Sequence, residues 1–428
     1  MRRRLLLPAL PMLPALLLAA CTGTGPPPLS DDEMQRRLGD AAPYLRFYAG
    51  LDALETSGDP VTVLQIGDSH TANDAFSGRM RELLQAHFGN GGRGILPPGI
   101  PFRTYRPAQV TVTALDWTVV SSFSYGRSGP FGITGLRQHA DMVAEMTLTA
   151  RESGDLAHVW AEALVQPGGG MLSLQADTGA ITEVTTGGAT GPEVPQRSVW
   201  IDLAAGIEAR SVTLRSRGDG PVDVLAWGAD AATSGLRYGN LGTIGATINL
   251  LSRWDQGLVA AEMERLRPAL LLVAFGSNEG YDDTVDPKTY GRTYAAAIQA
   301  LRRAAPDAAI TLMGPPDGTR RARAGRPGEA CPADDAVQNG STWVIPPRLA
   351  MVRAEQRRVA GANGCDFWDW AEAMGGACSI NRWAAATPPM AAPDHLHLLT
   401  AGYRATAEQL FRHILRGYGQ YRIVRAVA

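Results

Sequence analysis

The sequence predicts a doubly wound α/β domain that is interrupted by a block of short β-strands. The β-branched run 61–66 ends at a Gly-Asp turn, and a helical pattern follows over 75–88, as at the start of a doubly wound domain. The run 269–275 is continuously apolar, which is typical of a strand buried on both faces of a parallel sheet. Between these parts, residues 103–233 contain short alternating runs separated by Gly, Asp, Pro and Ser, a pattern that favours a β-sandwich.

The composition is that of a globular protein with several domains. The chain has 428 residues, of which 45% are hydrophobic and 19% charged, so about two to three domains are expected. The formal net charge is −2, from 40 basic and 42 acidic side chains, which argues against a bulk nucleic-acid binder. The spacing of Cys and His is not that of a zinc site, so we expect no metal.

The N-terminus predicts export. An apolar stretch, 5–20, follows three arginines; it contains three prolines and is too short for a membrane span. We therefore predict a signal peptide over 1–20. The sequence Leu-Ala-Ala-Cys at 18–21 resembles a bacterial lipobox, which implies lipidation of Cys21, a tether over 21–31 and a periplasmic protein anchored in the outer membrane. An ordinary signal peptide in which this Cys stands by chance is the alternative.

The predicted elements give two parts of one α/β domain, 32–102 and 234–428, on either side of the inserted β-rich block 103–233. Apolar spacing predicts helices at 32–57, 75–88, 290–304, 348–360 and 402–415. Strands of the α/β domain are predicted at 61–66, 269–275, 309–314 and 365–368, and a loop that runs into a helix at 241–254.

A candidate nucleophile follows the first predicted strand. Ser69 belongs to a Gly-Asp-Ser-His motif at 67–70, just past the carboxyl end of that strand, where doubly wound folds place their sites. A serine hydroxyl needs a base to remove its proton before it becomes a good nucleophile. Taken alone the motif is common, and a turn or a helix N-cap is the alternative.

A base and its carboxylate are predicted near the C-terminus. Asp394 and His397 lie three residues apart, so on one helical turn they share a face, and the carboxylate can accept the Nδ1–H of the imidazole. Nε2 is then left to deprotonate Ser69. His395 is the alternative base, although the side chains of adjacent residues diverge. A surface turn with two solvated histidines is the remaining alternative.

Two further segments offer hydrogen-bond donors for an oxyanion. Asn278 follows the strand 269–275, where its side-chain amide can donate, although asparagine at a strand end is usually a turn former. The glycine-rich segment before the predicted helix offers the backbone N–H of Gly245, with Gly242 as the competing choice. These groups, with the backbone N–H of Ser69, are the predicted oxyanion hole.

The order Ser, Gly, Asn and Asp-x-x-His resembles the four blocks of the SGNH (GDSL-type) hydrolases, whose fold is a three-layer α/β/α domain with a parallel sheet. The resemblance implies that Ser69, Asp394 and His397 are catalytic. It also implies that Ser69, Gly245 and Asn278 form the oxyanion hole, and that the reaction needs no metal or organic cofactor.

The resemblance narrows to the periplasmic peptidoglycan O-acetylesterases. His70 departs from the Leu of the GDSL name, but many exported members also have His there. Those enzymes carry a β-sandwich similar to a carbohydrate-binding module between their first two blocks, where this chain has residues 103–233. The segments that carry the narrower resemblance are 66–71, 88–94, 366–370, 374–376 and 378–380.

The implied reaction is hydrolysis of the O-acetyl ester on the C6 hydroxyl of N-acetylmuramic acid in peptidoglycan, through an acetyl-serine intermediate. The expected partners are O-acetylated glycan strands and, through the lipid anchor, a membrane, but not nucleic acid. An acetylesterase or acetyltransferase that acts on another polysaccharide is the alternative among enzymes. A non-catalytic glycan-binding envelope lipoprotein is the alternative from another class.

Two features stay open at this point. After export three cysteines remain, and the sequence does not choose which two could form a disulfide: Cys331, Cys365 and Cys378. Four arginines crowd the loop after the strand 309–314: Arg320, Arg321, Arg323 and Arg326. They are either a solvated loop or the border of a cleft that attracts anionic glycan.

Overall fold

The computed structural model describes residues 29–427, apart from 125, 127, 190, 192–194 and 339. The predicted signal peptide and Cys21 lie outside the described residues. In the part of the chain that the structure describes, no helix combines the length and the apolar character that crossing a membrane requires.

The helices, in chain order, are α1 (Asp31–Leu38), α2 (Leu45–Ser57), α3 (Ser69–Ala72), α4 (Ala75–Phe88), α5 (Gln256–Leu266), α6 (Ser277–Gly280), α7 (Pro287–Ala304), α8 (Ala333–Ala336), α9 (Pro347–Ala362), α10 (Trp370–Met374), α11 (Ser379–Ala385) and α12 (Thr400–Ala426). The strands are β1 (Val61–Gly67), β2 (Gly94–Leu96), β3 (Val110–Leu115), β4 (Thr118–Ser121), β5 (Leu136–Ala140), β6 (Val143–Ala150), β7 (His158–Leu164), β8 (Met171–Ala176), β9 (Ile181–Thr185), β10 (Ser198–Ala204), β11 (Ser211–Arg217), β12 (Val222–Asp230), β13 (Leu236–Gly242), β14 (Pro268–Ala274), β15 (Ala309–Met313), β16 (Arg320–Arg321), β17 (Glu329–Ala330), β18 (Val337–Gln338), β19 (Ser341–Ile345) and β20 (Asp366–Trp368).

Five parallel strands form the central sheet, in the order β13-β1-β14-β15-β20. Alternate residues of its strands point to opposite faces. Val63 and Leu272 belong to a hydrophobic core shared with α1, α2, α4 and α12. Leu64 and Leu271 belong to a second core, shared with α5, α7 and α9. Helices therefore cover both faces of a buried parallel sheet, as the continuous apolar strands predict.

Between α4 and β13 the chain forms two antiparallel sheets. One has the order β10-β7-β12-β5-β4 with β2 paired to β12, and the other the order β3-β6-β11-β8-β9. Buried side chains from both sheets, such as Val159 of β7 and Leu214 of β11, share one hydrophobic core. Because Gly94–Leu96 pairs with Trp227–Ala229, antiparallel pairing begins before residue 103, within the range predicted for the α/β domain.

The expectation of a loop running into a helix over 241–254 is confirmed in part, since residues 243–247 form a loop that leads into a short helix. Residues 241–242 end the edge strand β13, and Ile248–Arg253 is a 3-10 helix. Glycine is a poor strand former, so the sequence of β13 carries little strand signal. Close packing explains why a glycine occupies position 239 of this strand, because a Cβ on Gly239 would overlap side-chain atoms of Ile95 and Leu64.

Two helices differ in length from the sequence prediction. The region 32–57 is divided into α1 and α2 by a 3-10 turn, Gly39–Tyr44, that contains Pro43. Proline lacks the N–H that a continuous helix needs. At the C-terminus α12 extends well past the predicted 402–415, because Tyr418 and later residues are still buried on its inner face.

A small antiparallel sheet of β16, β17 and β19, with β18 attached to β19, lies in residues 320–345 and is called the small sheet below. A disulfide joins Cys331 of this segment to Cys378 at the start of α11, while Cys365 is free and buried. The structure thus shows which two of the three cysteines form the disulfide, a choice that the sequence leaves open.

Candidate active site

At the carboxyl end of β1 the chain leaves the sheet through a close-packed turn, and Ser69 is the first residue of the short helix α3. Asp68 caps this helix, since its side chain accepts a hydrogen bond from the backbone N–H of His70 at 3.0 Å. A Cβ at Gly67 would overlap the backbone carbonyl oxygen of Ala274 on the neighbouring strand. Glycine is therefore needed before Asp68 for the turn to sit this close to the sheet.

Ser69, His397 and Asp394 are linked by consecutive hydrogen-bond distances. The Oγ of Ser69 lies 3.1 Å from Nε2 of His397, and Nδ1 of His397 lies 2.8 Å from Oδ2 of Asp394. The second carboxylate oxygen of Asp394 accepts the backbone N–H groups of Leu396 and His397, each at 3.0 Å. The structure thus brings these three predicted residues together from opposite ends of the chain.

The electrostatics prepare His397 to accept a proton at Nε2. Burial alone would raise the pKa of Asp394, but hydrogen bonds from the His397 side chain and from backbone N–H groups outweigh it and hold that pKa below its usual value. The hydrogen bond with Asp394 raises the pKa of His397 above its ordinary value, although burial opposes this. With Asp394 ionised, the proton of neutral His397 stays on Nδ1 and the lone pair of Nε2 faces Ser69.

The alternative base, His395, is engaged elsewhere. Its ring stacks flat on Trp343, with ring centroids 3.5 Å apart and 2° between the planes. Its Nδ1 lies 2.6 Å from Oδ1 of Asn381, and only 3% of the residue is exposed. The structure therefore places His397, and not His395, beside Ser69.

The two candidate glycines of the oxyanion hole differ in their surroundings. The backbone N–H of Gly242 donates to Oδ1 of Asn240 at 3.1 Å, and a Cβ on Gly242 would overlap the backbone of Ala72. Gly242 is thus part of the packing between β13 and α3. Gly245 lies in the following loop with φ +77°, a conformation that favours glycine.

Asn278 is tied to the loop of Gly245. It lies in α6, which follows β14, and its Nδ2 donates to the backbone carbonyl of Ala246 at 2.8 Å. Since a side-chain amide has two hydrogens on nitrogen, one remains for another acceptor. The neighbouring Glu279 is buried and accepts the backbone N–H of Ile248 at 2.9 Å. These two bonds join the Asn278 segment to the Gly245 segment.

Sequence reasoning gave no role to two buried groups beside the site. Asp68 is 1% exposed, and burial raises its pKa to about 6 although backbone hydrogen bonds oppose this. His70 is likewise buried, with Nδ1 3.0 Å from the hydroxyl oxygen of Tyr403 and its ring edge toward Trp370. His70 and Asp68 are in the motif at 67–70, but no sequence signal points to Tyr403.

The antiparallel sheets reach the loop of Gly245. A Cβ built on Gly245 would lie 3.2 Å from Cζ of Phe123, which follows β4. The side chains of Phe123 and Ile244 are large, apolar and about half exposed, at 47% and 45%. One antiparallel sheet, through Phe123, and the loop after β13, through Ile244, therefore supply apolar side chains beside the candidate oxyanion glycine.

The chain is similar to known ester hydrolases in both sequence and structure. The GDSL-like Lipase/Acylhydrolase family matches residues 204–405, a range that holds Gly245, Asn278, Asp394 and His397 but not Ser69. A solved structure of a peptidoglycan O-acetylesterase is 26% identical with a TM-score of 0.70, over 89% of this chain and 98% of that chain.

More distant similarities are weak, and no curated protein matches the chain. A family two carbohydrate esterase from Cellvibrio japonicus is 11% identical over 73% of this chain and 98% of its own, with a TM-score of 0.28. An acetyl xylan esterase is 17% identical over 42% of this chain and 80% of its own, with a TM-score of 0.28. Scores this low carry no argument about this site.

Proposed function

Because this chain is a GDSL-like acylhydrolase, a carboxylic ester hydrolase, we propose that it removes O-acetyl groups from the C6 hydroxyl of N-acetylmuramic acid in peptidoglycan. The observation that carries the proposal is the chain of contacts from Ser69 through His397 to Asp394, 3.1 Å and 2.8 Å long, at the carboxyl edge of the parallel sheet. The similarity to a peptidoglycan O-acetylesterase over most of both chains supports the choice of substrate.

In the proposed first step, Oγ of Ser69 attacks the acetyl carbonyl carbon while Nε2 of His397 takes the hydroxyl proton. The tetrahedral intermediate collapses when His397 gives this proton to the leaving sugar oxygen, which yields the free sugar and acetyl-Ser69. Asp394 holds the ring in the required tautomer and stabilises the imidazolium. Water, deprotonated by His397, then attacks the acetyl-serine and releases acetate.

The negative charge that develops on the carbonyl oxygen of the acetyl group needs hydrogen-bond donors that are fixed in place. We assign the backbone N–H groups of Ser69 and Gly245 and the second Nδ2 hydrogen of Asn278 to this role. The bond from Asn278 to Ala246 supports the assignment, because it holds the amide against the loop of Gly245. Gly242 is left out because its N–H is already bonded to Asn240.

The two antiparallel sheets are, in this proposal, an inserted β-sandwich similar to a carbohydrate-binding module. Their shared core and the position of Phe123 beside Gly245 support a role in shaping the cleft. Trp227 is fully buried and Trp160 is 4% exposed, so these two rings serve packing and not sugar stacking. The mature protein is further proposed to be periplasmic and anchored in the outer membrane through a lipid on Cys21.

The test is acetate release from O-acetylated peptidoglycan by the wild type, with Ser69→Ala as the inactive variant. Ser153→Ala, at an exposed serine in a turn before β7, is the matched control and should keep wild-type activity. The same assay on acetylated xylan and alginate separates the proposed substrate from another polysaccharide. Full activity in Ser69→Ala would overturn the catalytic assignment, and a preference for another glycan would overturn the substrate. Mass spectrometry of wild type and Cys21→Ser tests the lipid.

A further inference from the structure

The small sheet is held firmly beside Asp394. Trp343 of β19 stacks on the ring of His395, next in sequence to Asp394, and the guanidinium of Arg321 lies 5.6 Å above the Trp343 ring. The disulfide between Cys331 and Cys378 fixes the same segment to α11. The arginines of this segment therefore have a defined place next to the candidate triad.

A cavity of about 400 Å³ lies between the small sheet and Asp394. Its apolar and aromatic lining comes from Tyr281, Trp343, Pro393 and Leu396, and its charged lining from Asp394 and the four arginines. The hypothesis of an arginine-bordered cleft thus has a defined location in this structure.

Two of the four arginines already have a carboxylate partner. Arg320 donates to Oδ1 and Oδ2 of Asp283 at 2.8 and 3.0 Å, and Arg326 lies 3.4 Å from the same carboxylate. Asp394 is likewise engaged, by His397 and two backbone N–H groups.

Arg321 and Arg323 differ from this pair. Both are exposed, and among the residues whose side chains the structure describes, neither has a carboxylate within 4.0 Å. Their positive charges are therefore available to a ligand in the cavity. An arginine guanidinium matches a carboxylate in shape, with two parallel N–H donors.

We propose that Arg321 and Arg323 form a subsite for a carboxylate group of the glycan substrate, beside the ester that Ser69 cleaves. This inference rests on the proposed function. In peptidoglycan the carboxylate has two sources: the peptide, where one is attached, and the lactyl group of muramic acid, where no peptide is attached. The subsite would raise the affinity for anionic glycan without taking part in the chemical step.

The test compares an anionic and a neutral substrate. Replacing both arginines, in Arg321→Gln/Arg323→Gln, should raise KM for O-acetylated peptidoglycan on the order of tenfold, since hydrogen bonds to charged groups are lost. KM and kcat for 4-nitrophenyl acetate should not change. Raised salt should weaken peptidoglycan hydrolysis more in the wild type than in the variant. Peptidoglycan with its carboxyl groups amidated should abolish the difference between the two proteins.

Two controls keep the result specific. Arg303→Gln/Arg416→Gln removes the same charge from exposed helix positions of α7 and α12 and should leave both KM values unchanged. Glycan stripped of peptide by an amidase, compared with intact peptidoglycan, distinguishes the lactyl carboxylate from the peptide carboxylates. If the double variant lost activity on both substrates, Arg323→Gln alone, in an exposed turn, would decide by the same comparison.

The outcomes separate this inference from the proposed function. An unchanged KM for peptidoglycan in the variants of an active enzyme overturns the carboxylate subsite and leaves the esterase intact. A wild type that hydrolyses 4-nitrophenyl acetate but releases no acetate from peptidoglycan overturns the proposed substrate, and the subsite with it. A similar KM for amidated and unmodified peptidoglycan in the wild type also overturns the subsite.

Discussion

His70 and Tyr403 form a buried contact, 3.0 Å from Nδ1 to the phenolic oxygen, beside the ring of His397. The ring centroids of His70 and His397 are 5.3 Å apart. Burial, the largest cause, and the nearby His397 lower the pKa of His70 to about 3. The two histidines therefore differ in charge behaviour, because the pKa of His70 lies far below the ordinary histidine value and the pKa of His397 lies above it.

The pH dependence of activity should report the ionisation of His397, and not of His70, on the acid side. Protonated His397 cannot accept the Ser69 proton, so kcat/KM for 4-nitrophenyl acetate should fall about tenfold per pH unit below the pKa of His397. That pKa is raised by the hydrogen bond with Asp394, so the fall should begin above the ordinary value for histidine. A conservative His70→Gln variant should keep the same acid limb. An ionisation in the acid limb that disappears in His70→Gln would contradict this account of His70.

Replacing Asp394 by Asn should preserve the fold but impair the reaction. The amide cannot hold the Nδ1–H tautomer of His397, so kcat should fall by roughly 10³- to 10⁴-fold with little change in KM. The acid limb of the pH profile should also move to lower pH, since the hydrogen bond that raises the pKa of His397 is weakened. Asp307→Asn, at an exposed surface carboxylate, is the control. A variant with near-normal kcat would remove Asp394 from the mechanism.

Asn278→Ala should lower kcat by roughly 10²- to 10³-fold, the usual cost of losing one oxyanion donor. KM should change little, because the donor acts mainly on the developing charge. Asn249, exposed in the segment after Gly245, offers the matched control Asn249→Ala. Since Asn278 also bonds Ala246, the melting temperature is measured in parallel. A loss of stability without a loss of kcat would make its role purely structural.

The buried ion-pair cluster around Asp74 predicts a stability effect distinct from catalysis. Asp74 is 2.8 Å from Arg81 and 3.3 Å from Arg93, and all three side chains are almost fully buried. Burial would raise the pKa of Asp74, but the two arginines outweigh it and hold that pKa well below its usual value. Asp74→Asn should therefore cost about 3–5 kcal/mol of unfolding free energy, because two buried charges lose their partner.

The sign of the pH effect follows from the lowered pKa of Asp74. Stability from this group is present above the unfolded value near 3.8 and is lost as pH falls toward the folded pKa. Denaturant unfolding at pH 7 and at about pH 2 measures it, and the gap between wild type and Asp74→Asn should narrow at the lower pH, which lies below the unfolded pKa. Asp307→Asn breaks an exposed pair with Arg46 and should have little effect. An equal loss in both variants would contradict the argument.

The sequence contains most of the information about the candidate site because each chemical role restricts the residue type. The sequence places polar groups near strand ends or in loops at Ser69, Asn278 and the Asp394–His397 pair. The structure brings the serine, the carboxylate and the imidazole of this set into contact. The sequence does not distinguish Gly242 from Gly245, because the proposed choice between them depends on which backbone N–H is already bonded in the folded chain.

Other features had no local signal. The strand β13 is held by burial between neighbours and not by its own propensity, as the packing of Gly239 against Ile95 illustrates. The stacking of Trp343 on His395 and the pairing of Cys331 with Cys378 join segments that are distant in the chain. Such long-range contacts follow from the tertiary fold and do not appear in periodicity or composition.

Ser69 and His397, the proposed nucleophile and its base, are 328 residues apart in the chain, and both antiparallel sheets are synthesised between them. Ser69 therefore emerges from the ribosome long before the imidazole that would activate it. Under the proposed mechanism, a nascent or C-terminally truncated chain that lacks His397 therefore carries the alcohol without its proton acceptor.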